Sequence, residues 1–304
     1  MTRPANTLNS EPERSREARP GSGTPMVSVR DLSHRYPDGT QALSDITLNV
    51  DRGEAVVLLG HNASGKSTLL KALTRLVEPT TGVISVGGSP VTGASARGLR
   101  SVRRGVGTVF QSINLVDQVS VLSNVVQGGL GRTRNPRHWF GWTAPTETRD
   151  EAMQCLQRVG LAPFASRRAD QLSGGQRQRV AIARMLMQRP ALVLADEPVA
   201  ALDPRAGREV MDLLWQIVAE ENLTLVCTLH QLELAELYGD RIVALQQGSL
   251  VLDGRMRDLS RNDLAALYTH ETDDLRSHGT GLTDSGLTDS GLTDTGRNPL
   301  GARS

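Results

Sequence analysis

Short apolar runs recur along this chain, and the spacing within them switches between two residues and about 3.6. Residues 27–29 and 46–50 alternate apolar and polar positions, as half-buried antiparallel strands do. Ala55–Leu59 is apolar without a break, which fits a strand covered on both faces, and residues 192–195 and 223–228 read the same way. Residues 67–76 and 177–187 carry helical spacing. Residues 242–245 and 249–252 flank Gln246, Gln247 and Gly248, a hairpin pattern. Buried strands alternating with helices predict an α/β layered fold with a parallel-sheet core and an N-terminal antiparallel β part. No apolar run approaches the ~18 residues that cross a bilayer.

The ends differ from this middle. Residues 1–25 hold Pro, Gly, Ser, Arg and Glu with almost nothing apolar, and are expected to be disordered, with no apolar signal segment. Residues 271–304 are expected to form a second disordered tail. Within it, residues 281–295 repeat GLTDS, GLTDS, GLTDT. Asp284, Asp289 and Asp294 there read either as a calcium or partner site or as a flexible polar tail. The folded part is therefore placed at residues 26–270, where one short helical pattern at 259–268 closes it. Composition narrows the class. Of 304 residues, 34 are Lys or Arg and 33 Asp or Glu, and the net charge of +1 lacks the basic footprint of a dedicated nucleic-acid binder. Two distant cysteines, Cys155 and Cys227, suit a reducing cytosol better than a disulfide scaffold or zinc module.

Three motifs carry chemistry. Gly60, His61, Asn62, Ala63, Ser64, Gly65, Lys66, Ser67 and Thr68 follow a buried strand and open a helix, the context of a phosphate-binding P-loop. Backbone N–H groups and the positive helix end suit phosphates there. Lys66 is placed to reach the β- and γ-phosphates and Ser67 to ligate Mg²⁺. The apolar run at 192–195 ends in Asp196 and Glu197, with Asp196 suited to Mg²⁺ and Glu197 to polarising water. Leu172, Ser173, Gly174, Gly175 and Gln176 precede a helical stretch, which makes a second candidate anion site.

Together these motifs resemble the ATP-binding subunit of ABC transporters, over about residues 27–260. The resemblance implies a P-loop NTPase fold with a helical signature subdomain at about 112–185. It assigns Tyr36 to stacking on adenine, Gln111 to sensing Mg²⁺ and the γ-phosphate, Leu202 and Asp203 to the D-loop, and His230 to the switch histidine. Ala63 departs from the family, which has Gly there; if the loop needs φ > 0, Ala costs about 1 kcal/mol. With one P-loop and one signature, the chain is expected to work as a homodimer holding two ATP molecules. Two separate integral-membrane permease subunits and an extracytoplasmic binding protein are then implied, with this chain on the cytoplasmic face of the membrane. Residues 110–116, 121–125, 128–131, 228–231 and 240–245 look like the phosphonate-import subfamily, whose relatives also carry phosphate or phosphite. An insertion around Trp139 and Trp142 reads either as a permease-docking face or as a surface loop. ATPase subunits of efflux or lipoprotein-release systems, and soluble ABC ATPases, stand as alternatives.

Overall fold

The computed structural model describes residues 23–110, 113–133 and 143–260. Residues 1–22 of the first expected tail, the whole of the second, the helical pattern at 259–268 beyond Ser260, Gln111 and the insertion around Trp139 and Trp142 lie outside the described residues. The described part opens with β1 (Val27–Arg35) and β2 (Gln41–Val50), which pair antiparallel with Val27 opposite Val50. After β3 (Ala55–Leu59) and α1 (Lys66–Leu73), β4 (Thr81–Val86) and β5 (Ser89–Pro90) complete a four-stranded antiparallel sheet ordered β2-β1-β4-β5.

Next come α2 (Ala96–Arg104), β6 (Val106–Phe110), α3 (Val121–Gly128), α4 (Thr146–Arg158) and α5 (Gly174–Gln188). They are followed by β7 (Leu192–Asp196), α6 (Pro204–Glu220), β8 (Thr224–Thr228) and α7 (Leu232–Tyr238). The hairpin of β9 (Arg241–Gln246) and β10 (Ser249–Arg255) ends the described part, with the turn where the sequence pattern placed it. The second sheet runs β10-β9-β3-β8-β7-β6. Its pairs from β9 to β6 are parallel, and β10 is an antiparallel edge.

The unbroken apolar runs are explained by what covers each face. Ala55, Val57 and Leu59 join one core with residues of α3 to α6, while Val56 and Leu58 join the other with β1, β2 and α1. Strand side chains alternate faces, so a strand sandwiched between two layers has no polar position to spare. Two predicted helices shift at their ends. The first stops at Leu73 rather than 76, because Arg75 turns left-handed at φ 51°. The other starts three residues earlier than its apolar spacing, because Gly174 and Gly175 form its first turn.

Candidate functional site

The site lies at the C-terminal ends of the parallel strands, where open α/β sheets bind ligands. Leaving β3, the backbone turns through Gly60 at φ 141°, and a Cβ there would sit 2.2 Å from the Leu245 carbonyl and 2.6 Å from Ser64 Oγ. Gly65 is left-handed at φ 104°, and a Cβ there would sit 2.5 Å from the Ala42 carbonyl. Only glycine fits at either position. Ala63 lies at φ 61°, so the loop does need a positive φ at the position where the family pattern has Gly.

Gly65 is also the N-cap of α1. It supplies no side-chain cap, and the first turn holds no acidic residue. The helix thus presents bare N–H groups with Lys66 as the cation beside them, a donor set that fits a polyphosphate. Lys66 is buried. Its ammonium donates to the carbonyls of Gly60 at 2.6 Å and His61 at 2.8 Å, which curls the loop around it. Burial pulls its pKa below the ordinary lysine value, against the opposing pull of Glu197 and Asp196. His61 is half-buried, and Asn62 is exposed on the loop.

Asp196 ends β7 in register with Thr228 at the end of β8, and with Phe110 at the end of β6. Two hydroxyls donate to its Oδ1: Ser67 at 3.0 Å and Thr228 at 2.8 Å. The Glu197 N–H donates to the same Thr228 oxygen at 2.8 Å. Glu197 itself is left-handed at φ 45°, a conformation that non-glycine residues hold only where neighbours fix it. Lys66, Ser67, Asp196 and Glu197, which come from separate motifs, are therefore one site. Thr228 belongs to it and was missed, since it reads as the last residue of an apolar run. A hydroxyl at the end of a buried strand was the available signal. His230 is exposed in the link between β8 and α7. The hydroxyls of Tyr36 and Thr68 lie 3.1 Å apart, which ties the N-terminal sheet to the first turn of α1.

The signature has a local explanation as well. Ser173 is the N-cap of α5: its Oγ accepts from Gln176 N at 3.3 Å, and its own N–H donates to Gln176 Oε1 at 3.0 Å, a capping box. Leu172 is buried beneath it. A Cβ on Gly174 would lie 3.1 Å from the Leu202 side chain, so this glycine keeps the start of α5 close to Leu202, while one on Gly175 would meet Ala206 at an ordinary contact distance of 3.4 Å. Asp203 caps α6 by accepting from Ala206 N at 3.0 Å.

A model of the ABC transporter family matches residues 43–200. The phosphate-import ATP-binding protein PhnC of Mycolicibacterium smegmatis is 54% identical over 243 residues, 80% of this chain and 92% of that one. The phosphonates import ATP-binding protein PhnC of Nocardia farcinica is 52% identical over 229 residues, 75% of this chain and 85% of that one. Among solved structures, the chain is similar to the ATP-binding cassette MJ0796 in a dimeric post-hydrolysis state bound to ADP and Pi. That likeness has a TM-score of 0.68 at 34% identity and covers 76% of this chain and 99% of that one. Family match, relatives and site geometry agree: the chain belongs to the ABC transporter family and is one of its ATP-hydrolysing cassettes.

Proposed function

We propose that this chain energises import of phosphonate or a related oxyanion, phosphate or phosphite, as the ATPase subunit of a multi-subunit transporter. The observation that carries the chemistry is the convergence of Ser67, Asp196 and Glu197 on the Thr228 hydroxyl network beside Lys66. The substrate class rests on the names of the two relatives, one for phosphate and one for phosphonates. The working unit is a homodimer on two permease subunits, supplied by an extracytoplasmic binding protein. No helix among the described residues is long and apolar enough to cross a membrane. On this reading the chain is a peripheral subunit on the cytoplasmic face of the membrane, held there by the permease, and the insertion around Trp139 and Trp142 is its docking segment. The cassette itself is taken as residues 26–270.

The phosphates of ATP are held by the loop from Gly60 to Thr68, with Lys66 matching their charge and Tyr36 stacking on the base. Ser67 and Asp196, with Gln111, would hold Mg²⁺, which would supply neutralising charge at the phosphates. Glu197 orients a water in line with the γ-phosphorus. Water adds, the bond from that phosphorus to the bridging oxygen breaks, and ADP and phosphate leave. His230 and the Ser173–Gln176 end of α5 from the second copy complete the charge around the γ-phosphoryl group. Closing the two copies around ATP turns the permease outward, and hydrolysis releases them.

The test is uptake of labelled phosphonate, phosphite and phosphate in host cells lacking this chain. Uptake of one of the three is expected to fall, to return with the wild-type chain, and not to return with Glu197→Gln. Unchanged uptake of all three would overturn the substrate class.

A further inference from the structure

We infer that His34 is a positioning residue for Tyr36, setting how tightly the site holds the adenine base. The inference rests on the reading of Tyr36 as the base-stacking ring. His34 lies near the end of β1, where Leu32 and His34 both face inward while Arg35 faces out. Its imidazole is 8% exposed, and neither ring nitrogen has a hydrogen-bond partner. Its ring meets that of Tyr36 at a centroid distance of 4.6 Å and an angle of 87°, an edge-to-face contact.

Burying both imidazole nitrogens without partners is unfavourable, and an apolar residue of similar size would avoid that cost. What the imidazole does make is the contact with Tyr36. The hydrogen bonds of Tyr36 hold its backbone and its hydroxyl. Its backbone is fixed by the turn to Thr40, with Tyr36 N donating to the Thr40 carbonyl at 2.9 Å and Gly39 N to the Tyr36 carbonyl at 2.9 Å. Its hydroxyl is fixed at Thr68. Those contacts anchor the two ends of the residue, and His34 anchors the ring between them. An edge-to-face contact uses at most one face of the phenol ring, so the other face stays available to a base. A ring already fixed before the base arrives loses little freedom on binding, which raises affinity without a new contact to the ligand.

The experiment is a double-mutant cycle on the full-length chain, with ATP dissociation constants measured by calorimetry. Tyr36→Ala is expected to weaken ATP binding about tenfold or more, the usual cost of a lost base stack. His34→Ala alone is expected to weaken it about threefold to tenfold, the range of one aromatic pair. In the Tyr36→Ala background, His34→Ala is expected to change nothing further, and His34→Phe is expected to keep wild-type affinity. Equal losses from His34→Ala in both backgrounds would make His34 a structural residue only and overturn the inference, as would a His34→Phe variant no tighter than His34→Ala. If Tyr36→Ala leaves ATP affinity unchanged, the assignment of Tyr36 to the base falls, and this inference falls with it. If Tyr36→Ala weakens binding but His34→Ala does not, the inference alone falls.

Discussion

Thr228 and Glu197 are joined by a hydrogen bond that no motif contains: the Glu197 N–H donates to Thr228 Oγ1 at 2.8 Å. The same hydroxyl donates to Asp196 Oδ1 at 2.8 Å, so one side chain grips the residue assigned to Mg²⁺ and the backbone of the residue assigned to the attacking water. Asp196 and Thr228 are register partners on β7 and β8, which fixes the geometry through the sheet rather than through a loop. Glu197 needs such a grip. Its φ of 45° is costly for a residue with a Cβ, by roughly 1–2 kcal/mol.

Thr228→Val keeps the volume and removes both bonds. Loss of Thr228 is expected to lower stability by about 1–3 kcal/mol, and to lower kcat by at least ~10-fold through a displaced Glu197. Glu197→Gln isolates the chemistry. It is expected to retain ATP binding, cut hydrolysis by at least ~10², and accumulate an ATP-bound dimer visible by gel filtration. Steady-state ATPase assays on both variants make the check. Wild-type turnover in Thr228→Val would show that the bond does not place Glu197, and near-normal turnover in Glu197→Gln would remove Glu197 from its role.

The parallel core was legible because its strands are buried on both faces, so Ala55–Leu59 announces itself by having no polar position. The P-loop was legible because Gly60 and Gly65 sit where a Cβ would collide with backbone. Thr228 was not, since one threonine in an apolar run carries no periodic signal, and its partner Asp196 is 32 residues away in sequence. The local work of Ser173 and Gln176 was also hidden behind their place in the signature. Their three-residue spacing is that of a capping box, and it starts α5 at Gly174 ahead of the apolar pattern.

Ala63 gives a prediction of the opposite sign from most substitutions. At φ 61° its Cβ is strained, and Ala63→Gly removes that strain. Glycine also gives the unfolded chain more freedom, which offsets roughly 0.4–1 kcal/mol of the gain. The balance is expected to be neutral to stabilising by up to about 1 kcal/mol, a rise in Tm of at most about 4 °C. Ala63→Val, branched at Cβ in the same conformation, is expected to lower Tm. Thermal unfolding of the three proteins without nucleotide gives the order, and a glycine variant clearly less stable than wild type would mean that the loop does not hold this conformation in solution.

Glu151 on α4 ties the helical layer together, and its contribution depends on pH. It accepts from Arg132 at 2.6 and 3.2 Å and from Arg189 at 2.8 Å, while Arg132 also donates to the Met187 carbonyl at 2.6 Å. Arg189 is the C-cap of α5, the helix whose other end is the signature. Burial pushes the Glu151 carboxyl up, but the hydrogen bonds and charges of the two arginines outweigh it and leave its pKa below the ordinary value. A pKa lower in the folded state means fewer bound protons there than in the unfolded chain. The stabilisation is then complete above the unfolded value, and it is lost as pH falls through the lower folded one. Glu151→Gln is expected to lower Tm at pH 7 by about 5 °C, the effect of roughly 2 kcal/mol of charge-assisted hydrogen bonding. That gap is expected to close below about pH 4. Reading the difference between variant and wild type at each pH cancels the other carboxylates, which titrate in both. A gap that stays constant from pH 7 to pH 3 would show that Glu151 acts by packing alone. A gap that closes would show that the charge of one glutamate helps hold α5, and with it the signature.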